Sequence, residues 1–437
     1  MESVPRPMRV LLLGATGLIG STVRDRLLAE GHGVTAICRQ LPAGTRPPGL
    51  QWDALDLGTL RCADAWRSRL AGIDAVVNAA GLLQDGLGDD VLAVQETAMI
   101  ALFDACKLAG TRWIVQISAV GATADAPTNF MRTKASADAH LAGLDLDWII
   151  FRPGLVLAPQ AYGGSALLRA LAAMPLFMPV PPGAGALQTI HVDEVAEAVT
   201  RALAGLVPAR RSYDLVEPEV HSAGEVVRAL RDWLGYRPAP VREVPGAIIA
   251  ATARIADTLG LLGWRSPFRS TAVAQLRAGV VGDPATWSAV SGRMPSSLAV
   301  SLARIPSTVQ ERWFARMFLV KPAAIFTLAL FWGVSGVIAV ADPAAAASVL
   351  VARGWEEPVA LAAVLSGACL DIALGLAVLV KRWLVPAALA MIGLAITYLL
   401  LGTVVAPDLW LDPLGAFIKV LPALVLALAV LATAADR

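Results

Sequence analysis

From Pro322 onward the chain holds four apolar runs in quick succession, and few folds can absorb them. Residues 322–341 and 383–406 carry no charge, while 358–380 and 414–435 carry one each, Asp371 and Lys419. About 20 apolar residues cross the hydrocarbon core of a bilayer as a helix, and only a helix or a closed barrel satisfies its own backbone polar groups there. Buried core helices of that length and purity are unusual, so 317–437 reads as a domain of four membrane spans. Arg312, Arg316 and Lys321 precede the first span, and Lys381 and Arg382 fill the second short loop. The first and third loops hold Asp342, Glu356, Glu357, Asp408 and Asp412 against Arg353. Basic residues stay inside. The N-terminal part, the second loop and the C-terminus are therefore expected in the cytoplasm, with the spans in the inner membrane of a bacterial-type cell. Asp371 falls near the middle of the second span, where an acid is costly and marks a functional position by default. Lys419 either pairs with it or snorkels to the interface.

The apolar excess of the whole chain, 56% hydrophobic against 16% charged, has its source in this tail. A formal net charge of +1 gives no footprint for a nucleic acid. Cys38, Cys62, Cys106 and Cys369 are too far apart for a zinc or redox motif and read as buried free thiols of a reducing compartment. The four histidines are scattered, and no metal site is expected. The short apolar run at the N-terminus breaks at once into glycines, so it reads as a buried strand rather than a secretory signal.

The first half has a different grammar. Val10 to Leu13 is an apolar run without polar alternation, as in a strand covered on both faces. Gly14, Gly17 and Gly20 follow in "GATGLIGS", then a helical stretch and the strand "GVTAIC". The first glycine allows a tight turn, the second lets backbone approach a pyrophosphate, and the third lets helix and strand pack closely. The second strand ends at Cys38-Arg39 with no acid for a ribose 2′-hydroxyl. Arg39 suits a 2′-phosphate, which favours NADP over NAD; otherwise it is a solvated loop charge. Further strands alternate with helices through "IDAVVNAAG", "TRWIVQISAVGA" and "LDWIIFRPGLVLAP". This pattern predicts an α/β Rossmann fold with a doubly wound parallel sheet, its cofactor beyond the C-terminal strand ends.

In order, "GATGLIG", Asp56-Leu57, "NAAG", Ser118 in "QISAVGA", the Phe130–Lys134 spacing, "FRPGLVLAP" and "TIHVDEVAEAV" resemble the motifs of extended and atypical short-chain dehydrogenases/reductases. The resemblance covers about residues 8–235 and is greatest to the branch that includes the 39-kDa subunit of respiratory complex I. The four-span tail resembles the DoxX-like membrane domain. The first resemblance implies that Gly14, Thr16, Gly17, Leu18, Ile19 and Gly20 contact the diphosphate. Arg39 would meet the adenosine phosphate, and Asp56 and Leu57 the adenine. It places Ala79, Ala80 and Gly81 along the nicotinamide ribose, Lys134 on the ribose hydroxyls, and Pro153 and Gly154 beside the nicotinamide ring.

The family's proton donor is the tyrosine of Tyr-x-x-x-Lys, and here that position is Phe130. A phenyl ring has no titratable hydrogen for general acid work. Ser118 and Lys134 remain as catalytic candidates. Tyr162, after "RPGLVLAPQ", either substitutes or lines the pocket. The region to residue 235 is expected to include a small substrate lobe, followed by a helical connecting segment over 236–316. Within the segment, Ile248, Ala251, Ile255 and Leu259 share a helical face that reads as a pocket wall or a membrane-surface contact. Trp313 and Phe314 among Arg304, Arg312 and Arg316 resemble an interfacial lead into a span.

Two functions follow. One is a membrane-anchored NAD(P)H-binding oxidoreductase acting on a small-molecule substrate, a lipophilic carbonyl or quinone delivered from the lipid bilayer. The other is a non-catalytic NAD(P)H-binding accessory or assembly protein with a partner in a membrane complex, which Phe130 favours. An epimerase or dehydratase of nucleotide sugars ranks behind both, because it too relies on the tyrosine.

Overall fold

Val10 and Leu12 point to one side of the first strand and Leu11 and Leu13 to the other, and all four are fully buried. β1 (Arg9–Leu13) therefore lies inside a sheet covered on both faces. The computed structural model describes residues 6–44, 47–413 and 415–435. The other strands are β2 (Gly33–Cys38), β3 (Leu50–Ala54), β4 (Ala75–Asn78), β5 (Trp113–Ile117), β6 (Asp147–Pro153), β7 (Leu155–Leu157), β8 (Met178–Val180), β9 (Thr189–His191), β10 (Arg211–Leu215) and β11 (Val241–Glu243). Seven of them form one parallel sheet in the order β10-β6-β5-β4-β1-β2-β3. The order reverses at β1, whose neighbours β2 and β4 are reached in opposite directions, and this reversal opens a crevice at the C-terminal strand ends.

The first helices are α1 (Leu18–Ala29), α2 (Arg67–Leu70), α3 (Ala98–Ala109), α4 (Asn129–Ala142), α5 (Gly163–Ala172), α6 (Val192–Leu203) and α7 (Ala223–Trp233). Val23 and Leu27 of α1 join Val195 and Val199 of α6 over Val10 and Leu12. Leu102 and Phe103 of α3 and Leu141 of α4 cover Leu11 and Leu13. The doubly wound α/β fold expected from the strand–helix alternation is the fold observed. A small lobe stands beside it, in which β7 pairs with β9 and β8 with β11, and Leu168, Val227 and Leu230 close around Met178.

Beyond β11 come α8 (Gly246–Leu261), α9 (Ser270–Ala278), α10 (Ala285–Ser291), α11 (Leu298–Ala303), α12 (Val309–Ala341), α13 (Pro343–Val351), α14 (Glu357–Ala377), α15 (Leu384–Val405) and α16 (Val420–Ala432). Two compact units emerge. One runs through Asp257 and resumes over Ser266–Ala315; the other comprises Thr258–Arg265 and the chain from Arg316. The resumed stretch is integral to the dinucleotide-type unit. Trp287 of α10 stands edge-on to Phe151 and Tyr213, with ring centroids 5.5 and 5.8 Å away. The buried Glu217 carboxylate accepts from Thr189 N at 2.8 Å and Leu298 N at 2.6 Å, which pins α11 to the lobe.

In the second unit, α12, α14 and the helical stretch Lys381–Val405 are long and apolar enough to cross a bilayer. Glycines let α12 and α14 meet closely: a Cβ on Gly375 would lie 2.7 Å from Gly333 N, and one on Gly336 2.5 Å from Ala368 O. Asp371 is buried, and the Tyr398 hydroxyl donates to it at 3.1 Å. Lys419 instead stands at the start of α16. The run expected as a fourth span, 414–435, differs. Its helix α16 has 13 residues, preceded by tight turns at 416–419. It rises about 20 Å, short of the ~30 Å hydrocarbon core. Leu414, Asp436 and Arg437 lie outside the described residues.

Trp287 is 6% exposed. Its truncation to alanine leaves a cavity against two aromatic rings, and a Trp→Ala cavity costs about 3–5 kcal/mol. Trp287→Ala is expected to lower the unfolding free energy of the first unit by that amount in a denaturant titration of the solubilised full chain. A change below about 1 kcal/mol would show that α10 is peripheral.

Candidate functional site

The glycine turn is built by close approach. Gly14 has φ 73°, and a Cβ there would stand 2.6 Å from Ala79 O. A Cβ on Gly20 would lie 2.1 Å from Gly14 O. Only glycine fits either position. Gly17 caps α1 in extended conformation, and no side chain caps the helix. The N-terminal amides of α1, around Thr16, Leu18 and Ile19, thus have no side-chain cap, the arrangement in which a helix N-terminus can take an anion. The Ala79 amide donates to Leu13 O at 3.0 Å, holding the "NAAG" turn against β1. This cradle fits a dinucleotide diphosphate.

Lys134, Ser118 and Gly81 come together at the ends of β4 and β5. Lys134 Nζ donates to Ile117 O at 3.0 Å and lies 5.6 Å from the Phe130 ring centroid. A Cβ on Gly81 would be 3.7 Å from Lys134 Nζ. The Ser118 amide donates to Phe151 O at 2.8 Å, and the Val120 amide to Pro153 O at 3.4 Å, which brings the β6 end alongside. Gly154 is as tight as Gly14: a Cβ would stand 2.5 Å from Gln188 O.

Three polar residues that sequence reasoning missed complete the cluster. Asp138, one helical turn beyond Lys134, is buried and accepts from the Ser118 hydroxyl and from Gln116 Nε2 at 3.4 Å. Gln116 in turn accepts from Asn78 Nδ2 at 2.8 Å, and Asn78 Oδ1 accepts from Ala80 N at 3.0 Å. Gln95 sits in a wide helical turn over Ala93–Thr97, donates to Thr133 Oγ1 at 3.0 Å and accepts from Leu82 N at 3.1 Å. Such turns recur at functional sites because they re-aim one side chain. The Lys134 to Asp138 spacing was a legible signal for Asp138; nothing in local sequence marks the wide turn.

Burial pushes the Lys134 ammonium down to about 8, against the pull of Asp138. Burial also holds the Asp138 carboxyl above its ordinary range, opposed by Ser118, Lys134 and Arg152. The array has two hydrogen-bond states. An ionised Asp138 takes the Ser118 hydrogen; a protonated Asp138 donates to Ser118 and frees that hydrogen for a substrate oxygen.

The other expected residues lie elsewhere along the sheet edge. Arg39 forms an ion pair with the buried Asp89 carboxylate. The Asp56 carboxylate accepts from Gly58 N at 3.0 Å, and Leu57 is buried in the core. Tyr162 opens α5, about half exposed, and its amide donates to Ser165 Oγ at 3.1 Å; none of its described bonds reaches Ser118 or Lys134. Among the described residues all four cysteines are free thiols, Cys38 and Cys106 buried and Cys62 and Cys369 exposed. Glu217, Glu219 and His221 stand within metal-ligand reach of one another, but Glu217 is already engaged in pinning α11.

A lysine depressed in the folded state costs stability fully below about pH 8, and the cost is relieved as pH rises toward 10.5. The denaturation midpoint of the full chain is expected to climb across that window. Lys134→Met should abolish the climb and weaken dinucleotide binding by about tenfold, the loss of one charge-assisted hydrogen bond. Superimposable midpoint–pH curves for the two proteins would refute the assignment.

Comparison with known proteins adds the lineage. A family model described as NAD(P)H-binding matches residues 14–204, and one for the DoxX-like family matches 329–428. Sterol demethylase protein B of Methylococcus capsulatus is 24% identical over 334 residues, 70% of this chain and 99% of that protein. A 3-diazoavenalumate denitrifying reductase of a Streptomyces species is 30% identical over 230 residues, 45% of this chain and 72% of the other. The NAD(P)H azoreductase of Xenophilus azovorans is 26% identical over 235 residues, 54% and 76% of the two chains. Among solved structures, the Bordetella bronchiseptica enzyme WbmH in complex with NAD+ superposes with a TM-score of 0.52 at 16% identity, over 69% of this chain and 97% of the other, a likeness of fold. The chain belongs to the NAD(P)H-binding, short-chain-dehydrogenase-like Rossmann family, carries a C-terminal DoxX-like domain, and is an integral membrane protein.

Proposed function

We propose that the protein is a membrane-anchored, NADPH-dependent reductase of a lipophilic carbonyl or quinone. The observation that carries this reading is the buried Lys134–Ser118–Asp138 array at the mouth of the glycine turn, in a chain that also holds long apolar helices. A bound nicotinamide supplies hydride. Gly14, Thr16, Gly17, Leu18, Ile19 and Gly20 hold the diphosphate, and Lys134 with Ala79, Ala80 and Gly81 orients the nicotinamide ribose, with Pro153 and Gly154 beside the ring. Asp56 and Leu57 flank the adenine. Arg39, now paired with Asp89, would meet a 2′-phosphate, and the absence of an acid for the ribose 2′-hydroxyl at the end of β2 is what favours NADP over NAD. Ser118 turns its hydrogen to the substrate oxygen when Asp138 is protonated. Lys134, softened by burial, is the proton source. Tyr162 lines the approach.

The relatives support the class. Two are reductases by name, a 3-diazoavenalumate denitrifying reductase and an NAD(P)H azoreductase, and the third, sterol demethylase protein B, is named for a lipophilic compound class. The dinucleotide-type unit and the C-terminus are assigned to the cytoplasmic side on the basic residues Arg312, Arg316, Lys321, Lys381 and Arg382. A second reading, an NAD(P)H-binding accessory protein of a membrane complex, is favoured by Phe130 and by the resemblance of the sequence motifs to a respiratory-complex subunit.

The experiment is NADPH oxidation by the full chain in lipid vesicles, over a panel of quinones and long-chain ketones, for wild type and Phe130→Tyr. Wild type is expected to turn over slowly. Phe130→Tyr should raise carbonyl turnover by about 10²-fold at unchanged NADPH affinity, the low end of a general acid's contribution. Tight, stoichiometric NADPH binding with no turnover in either protein would sink the enzymatic reading and leave the accessory one.

A further inference from the structure

The apolar face of α8 is turned outward. Ile248 and Ile255 are 56% and 61% exposed, and Ala251 and Thr252 on the same face are also exposed. Burial falls on the other side, at Ala253, Ala256 and Gly260. Among the described residues, Ile248, Ala251 and Ile255 of the stripe are exposed while Leu259 at its far end is half-buried, and soluble proteins seldom leave such a row to water.

What lies at the end of the helix tells what covers it. α8 runs into Thr258–Arg265, which clusters with the apolar-helix unit. There Lys381 N donates to Leu262 O at 3.0 Å, and Trp264 Nε1 donates to Leu379 O at 2.6 Å. Leu379 and Lys381 form the connection between α14 and α15, two helices long enough to cross a bilayer. Lys381 Nζ stands 5.1 Å from the Trp264 ring centroid, and Arg382 lies 6.0 Å from that of Trp383, which is half exposed. Tryptophans and basic residues gathered at the ends of spanning helices mark the bilayer–water boundary. The C-terminal end of α8 is thereby fixed at that boundary.

We propose that α8 lies in the headgroup layer, with Ile248, Ala251 and Ile255 in the acyl boundary, so that the protein holds its membrane by an interfacial helix as well as by spans. A helix with one apolar face turned outward lies in the plane of that layer, with the face buried about 5–10 Å at the headgroup–acyl boundary. Arg254, three residues after Ala251 and exposed, borders the face with a cation suited to anionic headgroups. The proposal rests on the membrane character of the chain and is independent of whether the nucleotide site turns over.

The test uses the full chain in vesicles of phosphatidylcholine and phosphatidylglycerol, with the exposed thiols removed as Cys62→Ser and Cys369→Ser. Nitroxide labels are placed singly at Ile248→Cys, Ile255→Cys and, as a water-facing control, Leu108→Cys, a site 79% exposed on α3. Labels at 248 and 255 should prefer relaxation by membrane-dissolved oxygen over a water-soluble nickel chelate, several-fold more than the label at 108. Equal, water-like behaviour at all three positions would overturn the proposal. So would spin–spin broadening at 248 or 255 that disappears on dilution with lipid, because a second copy would then cover the face.

Discussion

A methyl group on Gly20 would collide with the Gly14 carbonyl 2.1 Å away, and one on Gly14 would collide with Ala79. The C-terminal edge of the sheet is organised around those two missing side chains. Because they are missing, α1 starts directly off β1 with no side-chain cap on its amides, and the turn after β4 folds down beside them. Lys134 reaches that turn only because β4 and β5 end at the same height, with Ala75 to Asn78 registered against Trp113 to Gln116. Any larger residue at either glycine would part β1 from β4 or α1 from both, and the anion site would be lost before any polar side chain was touched.

Much of this was legible in the sequence. A strand without polar alternation, a glycine turn and a helix in succession leave few folds open, and the alternation that follows specifies a parallel sheet. Long uncharged runs are equally plain. What stayed hidden depends on contacts between distant residues. Arg39 meets Asp89 across 50 positions, so its ion pair was invisible beside the free cation that the strand end implied. Gln95 enters the site because the start of its helix widens by a residue. Of the stripe Ile248, Ala251, Ile255 and Leu259, the first three are exposed and Leu259 is half-buried, and periodicity does not tell protein from lipid as a neighbour. The last apolar run has the composition of a span, yet turns at 416–419 and Pro422 near the helix start leave only α16 regular.

Phe130 alters the site in more than its lost hydroxyl. The ring packs with Ala119, Ala122, Ala126 and Met131 in a small apolar cluster and offers its face to Lys134. A tyrosine oxygen would bring a dipole and a wet partner to the ammonium. The phenyl ring adds an apolar neighbour to a lysine whose titration is set first by burial. Phe130 offers no proton donor, while burial lowers the neighbouring Lys134 ammonium to about 8.

The brief passage of the chain through Thr258–Arg265 has a consequence for the order of events during synthesis. Trp264 leaves the ribosome 115 residues ahead of Leu379, the backbone group that it bonds. The nucleotide-binding unit can close once the stretch through Ala315 has emerged, since domains fold as units from the N-terminal side. The bond from Trp264 must wait until the connection between α14 and α15 has been made. A nascent chain stalled between those moments would carry a finished nucleotide cradle and an unfastened tryptophan, a state that cellular quality control could distinguish from the mature protein.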